Sequence, residues 1–99
     1  MRIIKRKTLI DFYAQTGHRD AQGPLEAWYA EAKAAAWESP ADLKAQFHSA
    51  SVLRNSRVIF NVAGNKYRLV VKINYISKIV FIRFIGTHKE YNKIDAEVI

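Results

Sequence analysis

The stretch Lys66-Tyr-Arg-Leu-Val-Val-Lys-Ile-Asn-Tyr75 decides the fold of this chain. Side chains along a β-strand alternate between its two faces. One face of this stretch is therefore apolar, with Tyr67, Leu69, Val71, Ile73 and Tyr75. The opposite face carries Lys66, Arg68, Val70, Lys72 and Asn74. The pattern predicts a half-buried strand whose second face is basic.

A second apolar run, Ile79 to Ile85, follows after the short connection Tyr75-Ile-Ser-Lys-Ile79. Two such runs separated by a few turn residues are typical of an antiparallel β-hairpin. We therefore predict that residues 66–75 pair with residues 79–85. The apolar face of the first strand should lie buried under two N-terminal helices.

Gly86 ends the second strand, and the tetrapeptide Thr87-His-Lys-Glu90 then fits a capping box. In this motif the Thr hydroxyl accepts a hydrogen bond from the Glu amide, and the Glu carboxylate accepts one from the Thr amide. The motif predicts a closing C-terminal helix with His88 and Tyr91 in its first turn. That helix start should lie level with Lys66 to Arg68.

The N-terminal half of the chain has helical patterns. Leu9, Phe12 and Tyr13 recur at helical spacing within residues 8–15. Pro24 suits the start of a second helix, whose predicted buried stripe is Leu25, Trp28, Tyr29, Ala32 and Ala36. Ser39-Pro40 opens a short third helix that runs to about Phe47. Residues 51–60 are predicted to form a strand, a turn at Asn55-Ser56 and another strand. Met1–Ile4 fits either a short edge strand or an irregular segment before the first helix.

Helices first and strands afterwards predict an α+β fold, with N-terminal helices packed on a small antiparallel sheet and a closing C-terminal helix. The 99 residues are expected to form one domain, 1–99. The absence of cysteine excludes both a disulfide framework and a Cys-based zinc site. Neither a membrane span nor the h-region of a signal peptide is present, so a cytoplasmic protein is expected.

The net charge of +7 is unevenly distributed. Residues 1–50 contain seven Lys/Arg and six Asp/Glu, whereas residues 51–99 contain nine Lys/Arg and three Asp/Glu. A basic field of this kind favours polyanions, most simply nucleic acid. The alternative is equally open on charge alone, since many small basic domains bind no nucleic acid.

Catalytic motifs of the common enzyme classes are missing. The three histidines have no metal-ligand spacing, and neither a phosphate-binding P-loop nor a nucleophile elbow is present. What remains suits phosphodiester chemistry: Arg68 and Lys72 on one strand face, and His88, Lys89 and Tyr91 at a helix N terminus. Each group also has a structural interpretation, in which the histidine is a helix-start residue, the tyrosine is core and the cations form a solvated face.

Two segments resemble the signature stretches of the HigB family of bacterial toxins. They are Val58-Ile-Phe-Asn-Val-Ala-Gly-Asn-Lys-Tyr-Arg-Leu69 and Arg83-Phe-Ile-Gly-Thr-His-Lys-Glu-Tyr-Asn-Lys-Ile-Asp95. The likeness continues through Pro24-Leu-Glu-Ala-Trp-Tyr29 and Ser39-Pro-Ala-Asp-Leu-Lys44, so it covers nearly the whole chain.

The resemblance implies a RelE-like fold and an mRNA interferase, an endoribonuclease that cuts mRNA during translation, usually on the ribosome. It also implies a HigA-type helix-turn-helix antitoxin, which binds the toxin and represses their shared operon through operator DNA. No cofactor and no metal are implied.

Carried over by motif position, the catalytic candidates are Arg68, His88 and Tyr91. Family members often have Asp after that tyrosine, whereas this chain has Asn92. The predicted RNA-backbone contacts are Lys66, Lys72, Arg83, Lys89 and Lys93. Two alternatives stay open: a ParE-like toxin that inhibits gyrase, and a non-catalytic RNA-binding module.

Overall fold

Helices and strands follow one another in the order expected from the sequence, and the computed structural model describes all residues 1–99. The helices are α1 (Arg6–Ala14), α2 (Gln22–Ala34), α3 (Pro40–Gln46) and α4 (His88–Tyr91), with a 3-10 turn at Arg19–Ala21. The strands are β1 (Arg2–Ile4), β2 (Ser51–Val52), β3 (Arg57–Val62), β4 (Tyr67–Asn74) and β5 (Ile79–Thr87).

The five strands form one sheet in the order β1-β5-β4-β3-β2. The pairs β2–β3, β3–β4 and β4–β5 are antiparallel, but β1 runs parallel to β5. The predicted antiparallel meander is confirmed for β2 to β5, while residues 2–4, whose role the sequence left open, add a parallel edge strand and make the sheet mixed. A parallel pair needs a long connection, which the three N-terminal helices and strands β2 to β4 provide. A three-residue strand has too little pattern to reveal its direction.

The predicted hairpin is confirmed, with β4 and β5 paired from Asn74–Ile79 at the turn to Tyr67–Thr87 at the open end. The apolar face of β4 is buried as predicted, and α1, α2 and α3 cover it. The main core joins the helices to the sheet through Leu9, Phe12, Leu25, Trp28, Ala32, Leu43, Val58, Phe60, Tyr67, Leu69, Val71, Ile73, Val80 and Ile82. The α+β class with N-terminal helices on one face of the sheet is confirmed.

The second face of β4 departs from the prediction at Val70, which is fully buried. A second, small core forms there from Ile59, Val70 and Ala96, and partly buried apolar side chains of the C-terminal segment pack against it. The basic face is therefore interrupted halfway along β4. Alternation in one strand gives no information on what the distant C-terminal segment covers.

Helix boundaries follow local signals with three differences. Ser39 caps α3 as predicted, its hydroxyl accepting a hydrogen bond from the Asp42 amide. However, α1 already begins at Arg6, and α2 ends at Ala34, so Ala36 lies outside the helix and is exposed instead of buried. The closing helix is a single turn, and hydrogen-bonded turns follow it to Ile99.

The turn at Asn55-Ser56 is confirmed, with positive φ angles of 59° and 60° at its two central residues. Such left-handed pairs match the twist of the flanking strands in tight hairpins. In this fold no helix has the length and apolar character needed to cross a membrane.

Candidate functional site

The register of β4 and β5 brings the two halves of the sequence motif together. Arg68 lies opposite Gly86, and Tyr67 lies opposite Thr87. His88, the next residue, begins α4 at the same end of the sheet, level with Lys66. The predicted position of the helix start is confirmed, and Arg68 and His88 share one exposed end of the sheet, which we call the β4/α4 end.

The capping box at the β4/α4 end is complete. The Thr87 amide donates to Glu90 Oε1 at 2.8 Å, and the Glu90 amide donates to Thr87 Oγ1 at 3.2 Å. The hydrogen bond from the Thr87 amide lowers the pKa of Glu90 below its ordinary value. These bonds fix the backbone of the single turn that carries His88 and Tyr91.

The Arg68 guanidinium is anchored on one side and open on the other. Its Nη1 donates to the Asn65 carbonyl oxygen at 2.9 Å. Its Nε and Nη2 groups make no hydrogen bond within the chain, and the side chain is only half-buried. Arginine presents its donors in a planar fork that matches a phosphate. The arrangement leaves part of that fork free for an anion.

The two other catalytic candidates differ in their surroundings. The His88 side chain is exposed and makes no hydrogen bond within the chain. The Tyr91 ring is half-buried and packs against the second core at Ile59, Val70 and Ala96. Tyr91 therefore contributes to packing, while its hydroxyl group has no partner within the chain.

Gly86 lets an aromatic ring lie against the backbone between Arg68 and α4. A Cβ atom at this position would lie 2.6 Å from Cζ of Phe84 and 3.1 Å from Oε1 of Glu90. Any side chain at residue 86 would push the Phe84 ring or the capping carboxylate aside. The glycine that ends the strand in the sequence motif is therefore also required for close packing beside Arg68.

Asp20 forms hydrogen bonds with two residues at the β4/α4 end, and the sequence did not reveal this contact. The buried Tyr67 hydroxyl donates to Asp20 Oδ1 at 2.5 Å, and the Lys66 ammonium group donates to Asp20 Oδ2. The hydrogen bonds from Lys66 and then Tyr67 lower the pKa of Asp20, and burial raises the pKa of Tyr67. Lys66 was predicted to contact RNA, but its charge is already paired with a carboxylate.

His18 also lies at the β4/α4 end, although 70 residues separate it from His88 in the sequence. Its ring stacks on Phe12 at 4.2 Å and meets Tyr67 edge-on at 5.7 Å. Its Nδ1 atom is buried without a partner, and its ring lies near Glu90. A polar loop between two helices gives no signal for this position, since only tertiary packing places it there.

The predicted RNA-contacting cations do not form one cluster. Lys89 and Lys93 are exposed at and just beyond α4. Lys72 lies four residues along β4 from Arg68, about 13 Å away at the usual strand rise. Arg83 is exposed at the irregularity in the β4–β5 pairing, and its guanidinium lies 5.9 Å from the Phe81 ring. The second core separates Lys72 from the β4/α4 end.

Replacing Asp20 with asparagine should lower stability at neutral pH and leave it nearly unchanged in acid. Because folding lowers the pKa of Asp20, the ionised carboxylate stabilises the folded chain above its ordinary pKa of 3.8. That contribution is lost as the pH falls through the lowered folded-state value. Urea unfolding of both proteins at pH 7 and below pH 3 measures this difference.

Asp11→Asn is the matched control, since the Asp11 carboxylate lies 3.9 Å from Lys7 and both side chains are well exposed. Exposed pairs of this kind contribute little, so this variant should unfold like the wild type at both pH values. Equal unfolding midpoints for wild type and Asp20→Asn at pH 7 would contradict a structural role for Asp20.

Comparison with known proteins gives a consistent family assignment. Residues 21–94 match the model of the HigB toxin family, described as the RelE-like toxic component of a toxin-antitoxin system. The chain is 28% identical over 72 residues to the mRNA interferase HigB of Escherichia coli O6:H1, covering 71% of this chain and 70% of that protein.

Two further relatives have higher identity over a shorter stretch. They are the mRNA interferase toxin HigB of Escherichia coli K12 and the mRNA interferase HigB of Shigella flexneri, each 36% identical over 58 residues. These matches cover 57% of this chain and 56% of each relative. The matched residues include the first motif segment, the second motif segment as far as Ile94, and helices α2, α3 and α4. By its sequence, this chain belongs to the HigB family of RelE-like toxins.

Proposed function

We propose that this toxin is an mRNA interferase, an endoribonuclease that acts in the cytoplasm and cuts mRNA during translation on the ribosome. The observation that carries the proposal is the register of β4 and β5, which sets Arg68 and His88 at one exposed end of the sheet. The names of its relatives support the substrate class. Arginine and histidine together suit phosphodiester cleavage, because arginine binds the charged phosphate and histidine can transfer a proton near neutral pH.

The proposed reaction is metal-independent, because RNA carries its own nucleophile. The ribose 2′-OH attacks the adjacent phosphorus in line, and the bond from phosphorus to the 5′ oxygen breaks. The products are a 2′,3′-cyclic phosphate and a 5′-OH. His88 either accepts the proton from the 2′-OH or donates one to the leaving oxygen, with Tyr91 as the second candidate. Arg68 stabilises the charge that develops on the phosphate oxygens.

Arg68 should provide most of the electrostatic stabilisation in this reaction. The sequence favoured a phosphate at the N terminus of the last helix, but α4 is a single turn and the Glu90 carboxylate already accepts its capping hydrogen bond. A carboxylate at that position opposes a second anion. The open Nε and Nη2 donors of Arg68 are the better phosphate ligand.

The remaining cations are proposed to hold the RNA backbone. Lys89 and Lys93 lie next to the proposed cleavage site, whereas Arg83 and Lys72 lie further along the sheet. Lys66 should contribute least, because its ammonium group is paired with Asp20.

Replacing Lys72 with alanine should weaken RNA binding and have a milder effect on the chemical step. The lysine lies about 13 Å from Arg68 along the strand, too far to act on the same phosphate. If it neutralises one phosphate of a single strand, the slope of log K against log salt should become about 0.7 less negative. Fluorescence titration of labelled RNA at several salt concentrations measures this slope.

Lys7→Ala removes the same unit charge from exposed α1, on the other side of the sheet. This control should keep the wild-type slope. A Lys72→Ala variant with an unchanged slope, or an equal loss of slope in both variants, would show that Lys72 makes no local phosphate contact.

The HigB family implies an antitoxin partner. We propose that it is a HigA-type helix-turn-helix protein that binds operator DNA in the toxin–antitoxin complex. The excess of nine Lys/Arg over three Asp/Glu in residues 51–99 supports an acidic antitoxin segment on the surface that RNA uses. Undiminished cleavage by the intact complex would contradict inhibition through this shared surface.

A coupled translation reaction tests the proposed function as a whole. Added toxin should shorten the mRNA while gyrase supercoiling, assayed in parallel, continues at its normal rate. Intact mRNA with blocked supercoiling would indicate a gyrase-directed toxin, and intact mRNA with normal supercoiling would indicate a binding module without cleavage activity.

A further inference from the structure

Strand β3 has an open edge beyond the point at which β2 ends. The β2 strand pairs Ser51 with Ile59 and Val52 with Val58, and reaches no further. Asn61, two residues beyond Ile59, has no strand opposite it on this side. Because β2 pairs with only part of β3, the rest of the β3 edge has backbone groups available to another chain.

The hydrogen-bond pattern shows which way the Asn61 backbone points. The Ile73 amide donates to the Ser56 carbonyl oxygen at 2.9 Å. Ser56 and Ile73 therefore form a hydrogen-bonded pair at one end of the β3–β4 ladder. Bonded and non-bonded pairs alternate along an antiparallel ladder. The residues of β3 that bond to β4 are therefore Val58, Phe60 and Val62, whereas the N–H and C=O groups of Asn61 face the open edge without a backbone partner.

A pocket of about 130 Å³ lies beside this open edge. The rings of Trp28, Phe47 and Phe60 line it, with Trp28 and Phe47 each edge-on to Phe60 at 5.4 and 5.1 Å between centroids. Ser49 and Asn61 also contribute to its lining. A cavity of about 150 Å³ can hold benzene, so the pocket has the size of one apolar side chain.

One of the residues that line the pocket has an unpartnered hydrogen-bond donor. Trp28 is 4% exposed, and its Nε1 is buried without a hydrogen-bond partner. The indole N–H can only donate, and a buried donor without an acceptor costs about 1–3 kcal/mol. The buried donor is a polar feature beside the aromatic lining, and the lining itself fits an apolar side chain.

We propose that an extended segment of the antitoxin adds a strand to β3 at Asn61 and inserts an apolar side chain into this pocket. Strand addition uses the main-chain ladder for affinity and a pocket for alternate side chains for specificity. The open N–H and C=O of Asn61 and the pocket beside them supply both. The inference rests on the proposed function only in requiring an antitoxin, and not on the cleavage chemistry.

The same geometry connects the docked segment to Arg68. Asn61 lies opposite Arg68, on the second face of the sheet. Neighbouring strands are about 4.8 Å apart, so the antitoxin residue facing Asn61 would lie about 10 Å from Arg68. An Asp or Glu at that position can reach the guanidinium, while the residue before or after it enters the pocket. The segment should therefore alternate apolar and acidic residues.

Other occupants fit this edge less well. RNA has no alternating amide and carbonyl groups to complete a strand ladder. A second copy of this chain carries a net charge of +7 and would bring a second Arg68 towards the first. Electrostatic repulsion opposes that pairing, whereas it favours an acidic segment.

Amide hydrogen exchange of the toxin, alone and with the full-length antitoxin of its own operon, tests this docking. In the free toxin the Asn61 amide should exchange rapidly, while Phe60 and Val62 are protected by their bonds to β4. In the complex the exchange of Asn61 should slow by about 100-fold or more. Rapid exchange at Asn61 in a stoichiometric complex would overturn the proposal.

A blocking substitution provides an independent readout. Ser49→Trp places a large side chain at the pocket and should weaken antitoxin binding by about tenfold or more, measured by calorimetry without RNA. Ser77→Trp is the matched control, since Ser77 is exposed in the β4–β5 turn at the other end of the hairpin. Equal affinities of the two folded variants would count against the pocket as the docking site.

The outcomes separate this docking from the proposed function. If the chain forms no complex with the antitoxin, both the proposed partnership and the docking site are contradicted. If a complex forms but Asn61 is unprotected, only the docking site is contradicted. Asn61 protection that rises with toxin concentration in the absence of antitoxin would identify a second copy as the occupant and overturn the proposal. Loss of mRNA cleavage bears on neither binding measurement.

Discussion

Replacing His88 with glutamine should slow single-turnover cleavage of mRNA on programmed ribosomes by about 10²- to 10⁴-fold, the usual contribution of a proton-transferring side chain. Glutamine keeps a polar side chain of similar length but cannot exchange a proton near neutral pH. The His88 side chain is exposed, so its replacement leaves no buried group unsatisfied. Ribosome affinity should change little, because glutamine keeps a polar side chain of similar size at this exposed position.

His48→Gln is the matched control. His48 is exposed in the connection between α3 and β2, on a different part of the surface. That variant should cut at the wild-type rate, and circular dichroism should show that both variants are folded. A folded His88→Gln variant that cuts as fast as wild type would remove His88 from the mechanism.

Tyr91 is then the next residue to replace, and phenylalanine is the informative substitution. The Tyr91 ring packs against the second core, so alanine would remove packing as well as the hydroxyl group. Tyr91→Phe removes the hydroxyl group alone. A large rate loss in this variant with unchanged stability would assign the proton transfer to Tyr91.

Replacing Arg68 with alanine should reduce the cleavage rate by about 10²- to 10³-fold, comparable to the loss of one oxyanion-hole donor. The Arg68 guanidinium keeps Nε and Nη2 free for the phosphate, and Arg68 lies opposite Gly86, close to the start of α4. Its stabilisation acts on the charge that develops in the transition state. The loss should therefore appear mainly in the single-turnover rate.

Two variants show whether the geometry or only the charge of Arg68 matters. Arg68→Lys keeps the charge but loses the planar fork, so its rate should lie between those of alanine and wild type. Arg54→Ala removes an exposed arginine next to the Asn55-Ser56 turn, at the other end of β3. An Arg68→Ala rate equal to that of Arg54→Ala would contradict a role for Arg68 at the phosphate.

The sequence predicted the parts of the fold that rest on local patterns. Alternation in residues 66–75 and the Gly86 stop determined the hairpin and its register, because a one-residue slip would expose the whole apolar face. The Ser39 and Thr87 caps were equally visible, since capping depends on residues only three apart. The convergence of Arg68 and His88 followed from that register.

The features that the sequence did not reveal depend on contacts between distant segments. Asp20 and His18 reach the β4/α4 end only because the loop after α1 packs against Tyr67. Val70 is buried only because residues near Ala96 return to the sheet. The direction of β1 depends on its pairing with β5, from which three helices and three strands separate it in the chain. None of these contacts has a periodic signal in its own segment.

Mapping the ends of a cut mRNA tests the central claim most directly. A 5′-labelled mRNA is placed on programmed ribosomes, mixed with excess toxin, and compared with the same mRNA free in solution. The account predicts rapid cutting on the ribosome, with a 2′,3′-cyclic phosphate on the upstream fragment and a 5′-OH on the downstream fragment. Intact mRNA in the presence of folded, ribosome-bound toxin would contradict it, as would fragments that carry a 5′-phosphate.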